Sequence, residues 1–230
     1  MTRADLLANT LFEADGRTLV DPKDLRLDPA LEGALDTKGK LLIHPAQFWQ
    51  RFSSLEITAF CVRHGFYCIP TVELVEWLKK KIGCRKAIEI GAGSGVLAEA
   101  LGIPATDSRV QERRKLARKF QQIQQATIRY GSNVQKMDAA TAVKRHNPEV
   151  VVAAWIMHKY RAAEPWRKGN IYGVEEEKIL SHVQQYIHVG QTRVHEAKPI
   201  LESPHEEFEP PWLVSRGSST GRNYICWWER

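Results

Sequence analysis

Three glycines stand close together in residues 89–95, Glu-Ile-Gly-Ala-Gly-Ser-Gly. An apolar run precedes them and a helix-like run, residues 96–101, follows, which predicts a strand, a tight turn and a helix. Glycine permits such a turn and lets backbone N–H groups approach an anionic ligand group at the helix start. Glu89 adds an acid suited to an ammonium. The stretch therefore predicts a pocket for a ligand that carries a carboxylate and an amine.

This stretch resembles the first motif of class I S-adenosylmethionine-dependent methyltransferases. That motif has an acid, one apolar residue and then Gly-x-Gly-x-Gly, and Glu89, Gly91, Gly93 and Gly95 fill it. The nearest alternative is the dinucleotide fingerprint Gly-x-Gly-x-x-Gly of NAD-dependent oxidoreductases, which wants glycine or alanine where this chain has Val96. The pattern favours S-adenosyl-L-methionine as the cofactor. A turn that binds nothing is the third interpretation.

The resemblance implies three kinds of cofactor contact. Glu89 and the glycine turn would hold the methionine end, Asp107 the ribose and Asp138 the adenine amine. Each acid also has a plain structural interpretation, because Glu89 and Asp138 can cap the helices that follow them and Asp107 can be a turn residue. The predicted cofactor-binding residues are Glu89, Gly91, Ala92, Gly93, Gly95, Asp107, Asp138 and Ala139.

The segment after the fourth strand sets the acceptor in this family. Enzymes that methylate exocyclic amines carry Asn or Asp, Pro-Pro and an aromatic residue there, whereas this chain reads Ala-Ala-Trp-Ile-Met-His-Lys-Tyr over residues 153–160. We therefore expect an oxygen or ring-nitrogen acceptor on a small molecule, which needs a base. The departure equally fits a catalytically silent cofactor-binding subunit that supports a partner. The candidates are His158 and Tyr160 for catalysis, Trp155, Lys159 and Tyr172 for the substrate pocket, and His188 and His195 as further histidines.

Several of these candidates have an equally plausible packing role. Trp155 can be a core residue rather than a platform for a planar substrate. A histidine such as His158 is more often a packing or surface residue than a base.

The elements that must position these residues alternate between strands and helices. This order predicts an α/β fold: a doubly wound, mostly parallel seven-stranded sheet with a C-terminal antiparallel hairpin. Residues 66–230 would form the cofactor-binding, methyltransferase-like domain, and residues 1–65 a mostly helical extension or cap. The near-continuous apolar run 149–155 is typical of a strand buried on both faces.

The finer pattern gives the bounds of several elements. Thr71 is predicted to cap a helix that ends at Gly83. We expect a polar helix over 109–130, a strand over 133–138, a helix over 175–186 and a strand over 187–190. Segments 212–216 and 223–228 are predicted to pair as the terminal hairpin.

Composition limits the remaining choices. The 230 residues are 43% hydrophobic and 26% charged, without an apolar run of membrane-spanning length. The four cysteines include no Cys-x-x-Cys pair, so we expect no metal site. Their low number indicates a reducing, cytoplasmic setting. The formal net charge is +6, and much of the excess lies in residues 109–119. That cluster predicts either attraction to nucleic acid or a solvated helix face.

Overall fold

The computed structural model describes residues 25–217 and 221–230, together with two short strands that precede them. These strands, β1 (Phe12–Ala14) and β2 (Thr18–Val20), pair antiparallel. Residues 218–220, within the predicted hairpin loop, lie outside the described residues. In the part of the chain that is described, no helix is long and apolar enough to cross a membrane.

The strands and helices of the main body follow in chain order. The strands are β3 (Cys68–Ile69), β4 (Ala87–Ile90), β5 (Ala105–Asp107), β6 (Val134–Lys136), β7 (Val150–Ala154), β8 (Gln185–Gln191), β9 (Glu206–Phe208), β10 (Val214–Ser215) and β11 (Asn223–Glu229). The α-helices are α1 (Ala46–Trp49), α2 (Ser54–His64), α3 (Val72–Ile82), α4 (Val96–Leu101), α5 (Arg114–Gln122), α6 (Ala139–His146), α7 (Glu176–Leu180) and α8 (Thr192–His195). Short 3-10 helices cover Pro29–Ala34, Val110–Glu112, Pro165–Arg167 and Pro199–Glu202.

Seven strands form one sheet in the order β6-β5-β4-β7-β8-β11-β9. The first five run parallel, and β11 is antiparallel to both of its neighbours. The apolar run in β7 is buried and pairs on both sides, which explains why it lacks a polar face. The predicted doubly wound, mostly parallel sheet of seven strands is confirmed.

Helix α3 begins and ends as its sequence predicts. The Thr71 hydroxyl accepts a hydrogen bond from the Leu74 N–H at 3.1 Å, and Gly83 ends the helix with a φ of +62°. Its apolar stripe is buried against Val150, Val152 and neighbouring residues on one face of the sheet. The helix is therefore fixed directly before the strand that leads into the glycine turn.

The described part of the N-terminal segment shares a hydrophobic cluster with α4 and with the small β3–β10 sheet. Trp49 and Phe60 are fully buried in a cluster that also contains Val96 and Val214. The boundary predicted at residue 65 stays a prediction. Helices α1 and α2 contribute the aromatic side chains of this cluster.

Two predicted helices are shorter than expected. The helix predicted over 175–186 ends at Leu180, and β8 begins at Gln185, because the apolar residues that follow are buried in a central strand. Only 114–122 of the polar segment 109–130 forms an α-helix, and none of its side chains is buried. Helices depend largely on burial of an apolar face, and in this segment Leu116 and Phe120 are only partly buried.

The terminal antiparallel pair is confirmed, but its first strand was misplaced. β11 pairs with β9, and Cys226 lies opposite Glu207. The predicted partner segment, 212–216, instead contributes β10, which pairs with β3. Alternation of apolar and polar residues identifies a strand, but it does not identify the neighbour to which that strand bonds.

Candidate functional site

The turn after β4 is held by the side chains around it. Gly91 and Gly95 have φ values of +61° and +76°. A Cβ on Gly91 would lie 2.5 Å from Ile156 Cγ2, and one on Gly95 would lie 2.6 Å from Val134 Cγ2. Both glycines are therefore required by the packing of the fold as well as by their backbone conformation.

Gly93 differs from its two neighbours. Its φ is +53°, but a Cβ there would meet nothing closer than Ile128, at 3.8 Å. Gly93 and Ser94 are partly exposed. The space above the middle of the turn is therefore open to a ligand.

Asp107 lies against this open point, at the end of β5. One carboxylate oxygen accepts the Gly93 N–H at 3.0 Å, and the other accepts the Arg109 N–H at 2.7 Å. The side chain is 7% exposed, and burial raises the pKa of its carboxyl. Each oxygen keeps one lone pair for a further donor. The structure brings Asp107 to the turn, and its role with a ribose stays a prediction.

Glu89 is buried beneath the turn. It is 2% exposed, and one oxygen accepts the Ala98 N–H of α4 at 2.9 Å. Burial raises the pKa of Glu89 to about 8. The capping interpretation is thus observed, and the predicted contact with an amine is not tested by it.

Asp138 caps α6 and borders an open cleft. Its two oxygens accept hydrogen bonds from the Thr141 N–H at 3.0 Å and the Thr141 hydroxyl at 2.7 Å, and the bond from that hydroxyl is the main cause of the lowered pKa of Asp138. Ala139 is the first residue of the helix. The cleft has a volume of about 480 Å³. It is lined by Ser108, Arg113, Lys136, Met137, Asp138, Thr141 and Arg145.

Asp107 ends β5 and Asp138 follows β6, so both lie at the carboxyl edge of the sheet, on the same side of β4. The last strand but one in this sheet, β11, is antiparallel to its neighbours. This strand order is the one that the resemblance to class I S-adenosylmethionine-dependent methyltransferases implies. In open α/β sheets this edge is where ligands bind.

Solved structures resemble this chain only at low scores. No protein-family model matches the sequence, and no curated protein shows significant similarity to it. A Klebsiella pneumoniae protein provisionally named an O-methyltransferase is similar at a TM-score of 0.40 and 14% identity, over 90% of this chain and 93% of that one. A human methyltransferase 10 domain containing protein is similar at a TM-score of 0.33 and 14% identity, over 77% of this chain and 98% of that one. A third protein, provisionally named a methyltransferase and solved with SAH, is similar at a TM-score of 0.32 and 10% identity. The match covers 64% of this chain and 47% of that one. Scores this low say nothing of substrate.

The segment after β7, which holds the predicted acceptor residues, begins with backbone strain. Trp155 follows β7 with a φ of +60°, and its N–H donates to the Val189 carbonyl at 2.8 Å. A non-glycine residue in this region costs about 1–3 kcal/mol and is often found at functional sites. The half-buried indole packs edge-on against His195, with the ring centroids 5.1 Å apart.

His158 is enclosed by the loop that follows it. It is 4% exposed, and Nε2 lies 3.0 Å from the Arg167 carbonyl. A carbonyl can only accept, so Nε2 carries the proton and Nδ1 keeps the lone pair. Burial lowers the pKa of His158 and keeps the ring neutral. Nδ1 is the nitrogen available to a proton, and in this conformation it is covered.

The other predicted acceptor residues are exposed on the same loop. Tyr160 and Tyr172 are 40% and 39% exposed, and Lys159 donates to the Ile171 carbonyl. The Arg113 guanidinium lies 5.2 Å from the centre of the Tyr172 ring. Arg113 also lines the cleft, whereas Tyr172, His158 and Tyr160 are not among its lining residues.

Two further histidines form a buried polar cluster beside this segment. The rings of His188 and His195 lie 4.9 Å apart, and both are fully buried. Their Nε2 atoms and the Tyr224 hydroxyl have no hydrogen-bond partner among the described residues. A Cβ on Gly190 would lie 2.5 Å from the His188 Nε2, so the glycine makes room for the cluster. The sequence signal was a histidine and a glycine within an otherwise apolar strand.

A buried ion pair adds to the electrostatics of the cluster. Lys198 Nζ lies 2.6 Å from a Glu176 oxygen, and neither side chain is exposed. The Tyr186 hydroxyl donates to the other Glu176 oxygen at 2.8 Å. Burial, reinforced by the positive charge of Lys198, lowers the pKa values of His188 and His195 well below the usual range. Both imidazoles are therefore neutral in the fold.

Stability should consequently fall as the pH drops below about 6.5, the usual pKa of histidine in an unfolded chain. There the unfolded chain gains a proton at His188 and at His195, and the native chain does not. Glu89 has the opposite effect. Its raised pKa keeps it protonated in the fold, so at this carboxyl the native chain binds about one proton more than the unfolded chain. We expect a net loss of about 1.4 kcal/mol per pH unit between pH 6 and pH 5, measured by urea unfolding.

The variant His188→Asn tests the assignment to the cluster. It removes one of the histidines whose pKa is lowered in the fold, so the pH dependence should flatten by about one proton. A wild-type unfolding free energy that stays constant from pH 7 to pH 5 would contradict the neutral, buried state of these histidines.

Proposed function

We propose that this protein is an S-adenosyl-L-methionine-dependent methyltransferase that acts on an oxygen or ring nitrogen of a small molecule. The observation that supports this most is the open space at Gly93, with Asp107 beside it, together with a cleft that is lined in part by Ser108 and Asp138. The space beside the other two glycines of the turn, Gly91 and Gly95, is filled by the protein's own side chains. Gly93, where a Cβ would meet only Ile128 at ordinary contact distance, is thus where a ligand would meet the backbone.

The cofactor would lie along the carboxyl edge of the sheet. Its methionine end would contact Glu89 and the backbone of Gly91–Gly95, its ribose would bond Asp107, and its adenine would lie by Asp138 and Ala139. When bound, the cofactor supplies a methyl group already activated as a sulfonium. The protein then has to hold the acceptor in line with that methyl group and exclude water.

On the acceptor side, His158 is the proposed base and would take a proton at Nδ1. Its lowered pKa keeps it neutral near pH 7, as a base must be. Tyr160, Lys159, Tyr172 and Trp155 would shape the pocket. Because the 159–174 loop covers His158, the acceptor would have to enter as this loop opens.

Three alternatives belong to other classes. A catalytically silent cofactor-binding subunit would keep the turn, and the covered His158 fits that role. An NAD-dependent oxidoreductase is disfavoured because Val96, at the fingerprint's third small position, is packed into the core. A nucleic-acid acceptor is favoured by α5, whose exposed cations have no ion pair in the described structure. These cations are Arg114, Lys115, Arg118 and Lys119.

The variant Gly93→Ala should abolish cofactor binding, because its methyl group would occupy the ligand's space. Gly102→Ala is the matched control: Gly102 also has a positive φ, +70°, and open space, but it ends α4 away from the turn. Both variants carry similar backbone strain, so they should lose similar stability. We expect micromolar S-adenosylmethionine binding by calorimetry in the wild type and in Gly102→Ala only, and none for NAD.

Two results would count against this proposal. Undetectable wild-type binding at millimolar S-adenosylmethionine would remove the cofactor assignment. Equal binding by Gly93→Ala and Gly102→Ala would place the ligand somewhere other than the turn.

Cofactor binding should also release close to one proton at pH 7. The pKa of Glu89 is about 8 in this structure, so the carboxyl is protonated, whereas a nearby ammonium favours the carboxylate. Calorimetry in two buffers of different ionisation enthalpy measures the released proton. Glu89→Gln keeps an oxygen for the Ala98 N–H and should bind without releasing it. Wild-type binding with no proton release would leave Glu89 as a helix cap alone.

Activity should depend on His158. With an acceptor found by screening metabolites, RNA and DNA against labelled cofactor, His158→Ala should lower turnover by about 10²–10⁴-fold. Cofactor affinity should stay within a factor of a few, because His158 does not line the cleft by Asp138. The surface variant His182→Ala serves as the control. Wild-type turnover in His158→Ala would exclude His158 as the base, and tight cofactor binding with no labelled acceptor would favour the silent subunit.

A further inference from the structure

Three potential metal ligands meet at the far edge of the sheet. His205 and Glu207 are two residues apart at β9, and Cys226 lies opposite Glu207 on β11. His205 directly precedes β9, and directly paired residues such as Glu207 and Cys226 share a face of the sheet. A histidine nitrogen, a carboxylate oxygen and the Cys226 Sγ accordingly lie within 4.8 Å of one another.

The spacing of these atoms suits a tetrahedral ion. Cys226 Sγ lies 3.5 Å from Glu207 Oε2. A zinc ion with Zn–S near 2.3 Å and Zn–O near 2.1 Å places such a pair about 3.6 Å apart. Coordination would therefore require little movement of these two side chains.

The imidazole of His205 is oriented by its surroundings. Its Nδ1–H donates to the Ser203 carbonyl at 2.8 Å, so Nε2 keeps the lone pair. The ring also packs on Trp228, with the centroids 5.2 Å apart. Metal-binding histidines commonly have their second ring nitrogen fixed by a carbonyl in this way.

We propose that His205, Glu207 and Cys226 bind a zinc-like divalent transition metal, with water as the fourth ligand. One nitrogen, one oxygen and one sulfur form a ligand set for zinc or cobalt, whereas magnesium and calcium prefer oxygen alone. On binding, the Cys226 thiol gives its proton to solvent and the thiolate bonds the ion. Cys226 is buried and Glu207 is exposed, so the ion would enter from the solvent side.

The ion would fasten the edge of the sheet. All three residues of β9 are exposed, and the strand pairs only with β11 among the described strands. A metal shared between β9 and β11 would stabilise this pairing. The site lies four strands from the glycine turn, so it is independent of the proposed methyltransferase activity.

Cobalt gives the most direct test, because a thiolate ligand produces a near-ultraviolet charge-transfer band. We expect the wild-type protein to bind one Co²⁺ with this band, and Zn²⁺ to displace it and raise the melting temperature. Zinc affinity is measured by competition with a chromogenic chelator. Absence of both the band and the zinc binding would overturn the proposal.

Matched variants separate this site from other thiols. Cys226→Ser should abolish the cobalt band, and Glu207→Gln and His205→Gln should each weaken zinc binding by at least about tenfold, the lower range even for supporting residues. Cys84→Ser, at an exposed thiol, should bind as wild type. If Cys226→Ser misfolds, the surface variant Glu207→Gln still decides. Zinc affinity unchanged in Glu207→Gln and His205→Gln would overturn the site.

Discussion

The backbone of the turn after β4 fixes the geometry on which the site depends. A chain that reverses there with three left-handed glycines has several N–H and C=O groups without partners in the turn itself. Side chains from the neighbouring elements provide them: Glu89 accepts from Ala98 and Asp107 accepts from Gly93. Asn133 donates to the Gly95 carbonyl at 2.9 Å. The turn therefore joins β4, β5 and the segment before β6, and none of these can move without loss of a hydrogen bond.

The same contacts set the electrostatics of the proposed cofactor site. Two acids are buried within it, and each is stabilised by backbone N–H groups rather than by a cation at bonding distance. Burial raises the pKa of both Glu89 and Asp107, so their surroundings disfavour negative charge on these carboxyl groups. A ligand with an ammonium would reverse this preference. The cleft side of the site is basic, through Arg113, Lys136 and Arg145.

The sequence predicted those parts of the molecule that depend on neighbours along the chain. The glycine turn, the Thr71 cap and the buried run of β7 are local patterns, and each was confirmed. The partner of β11, the enclosure of His158 by its loop and the meeting of His205 and Glu207 with Cys226 depend on contacts between distant segments. Helix α5 shows the same dependence on distant contacts: the local pattern predicted a helix over 109–130, but only Arg114–Gln122 forms one.

This contrast also explains why the proposed cofactor half of the site is easier to identify than the proposed acceptor half. A cofactor held by backbone groups requires glycine at fixed positions, since side chains would block the approach, and the requirement is therefore visible in the sequence. An acceptor is held by side chains on a loop, and many residue types serve there. In this chain the loop begins at the strained Trp155 and is closed by bridges that pair His158 with Val174 and Lys159 with Asn170. Strain at one end and few buried contacts along its exposed aromatic residues make this loop the part of the site best suited to open for an acceptor.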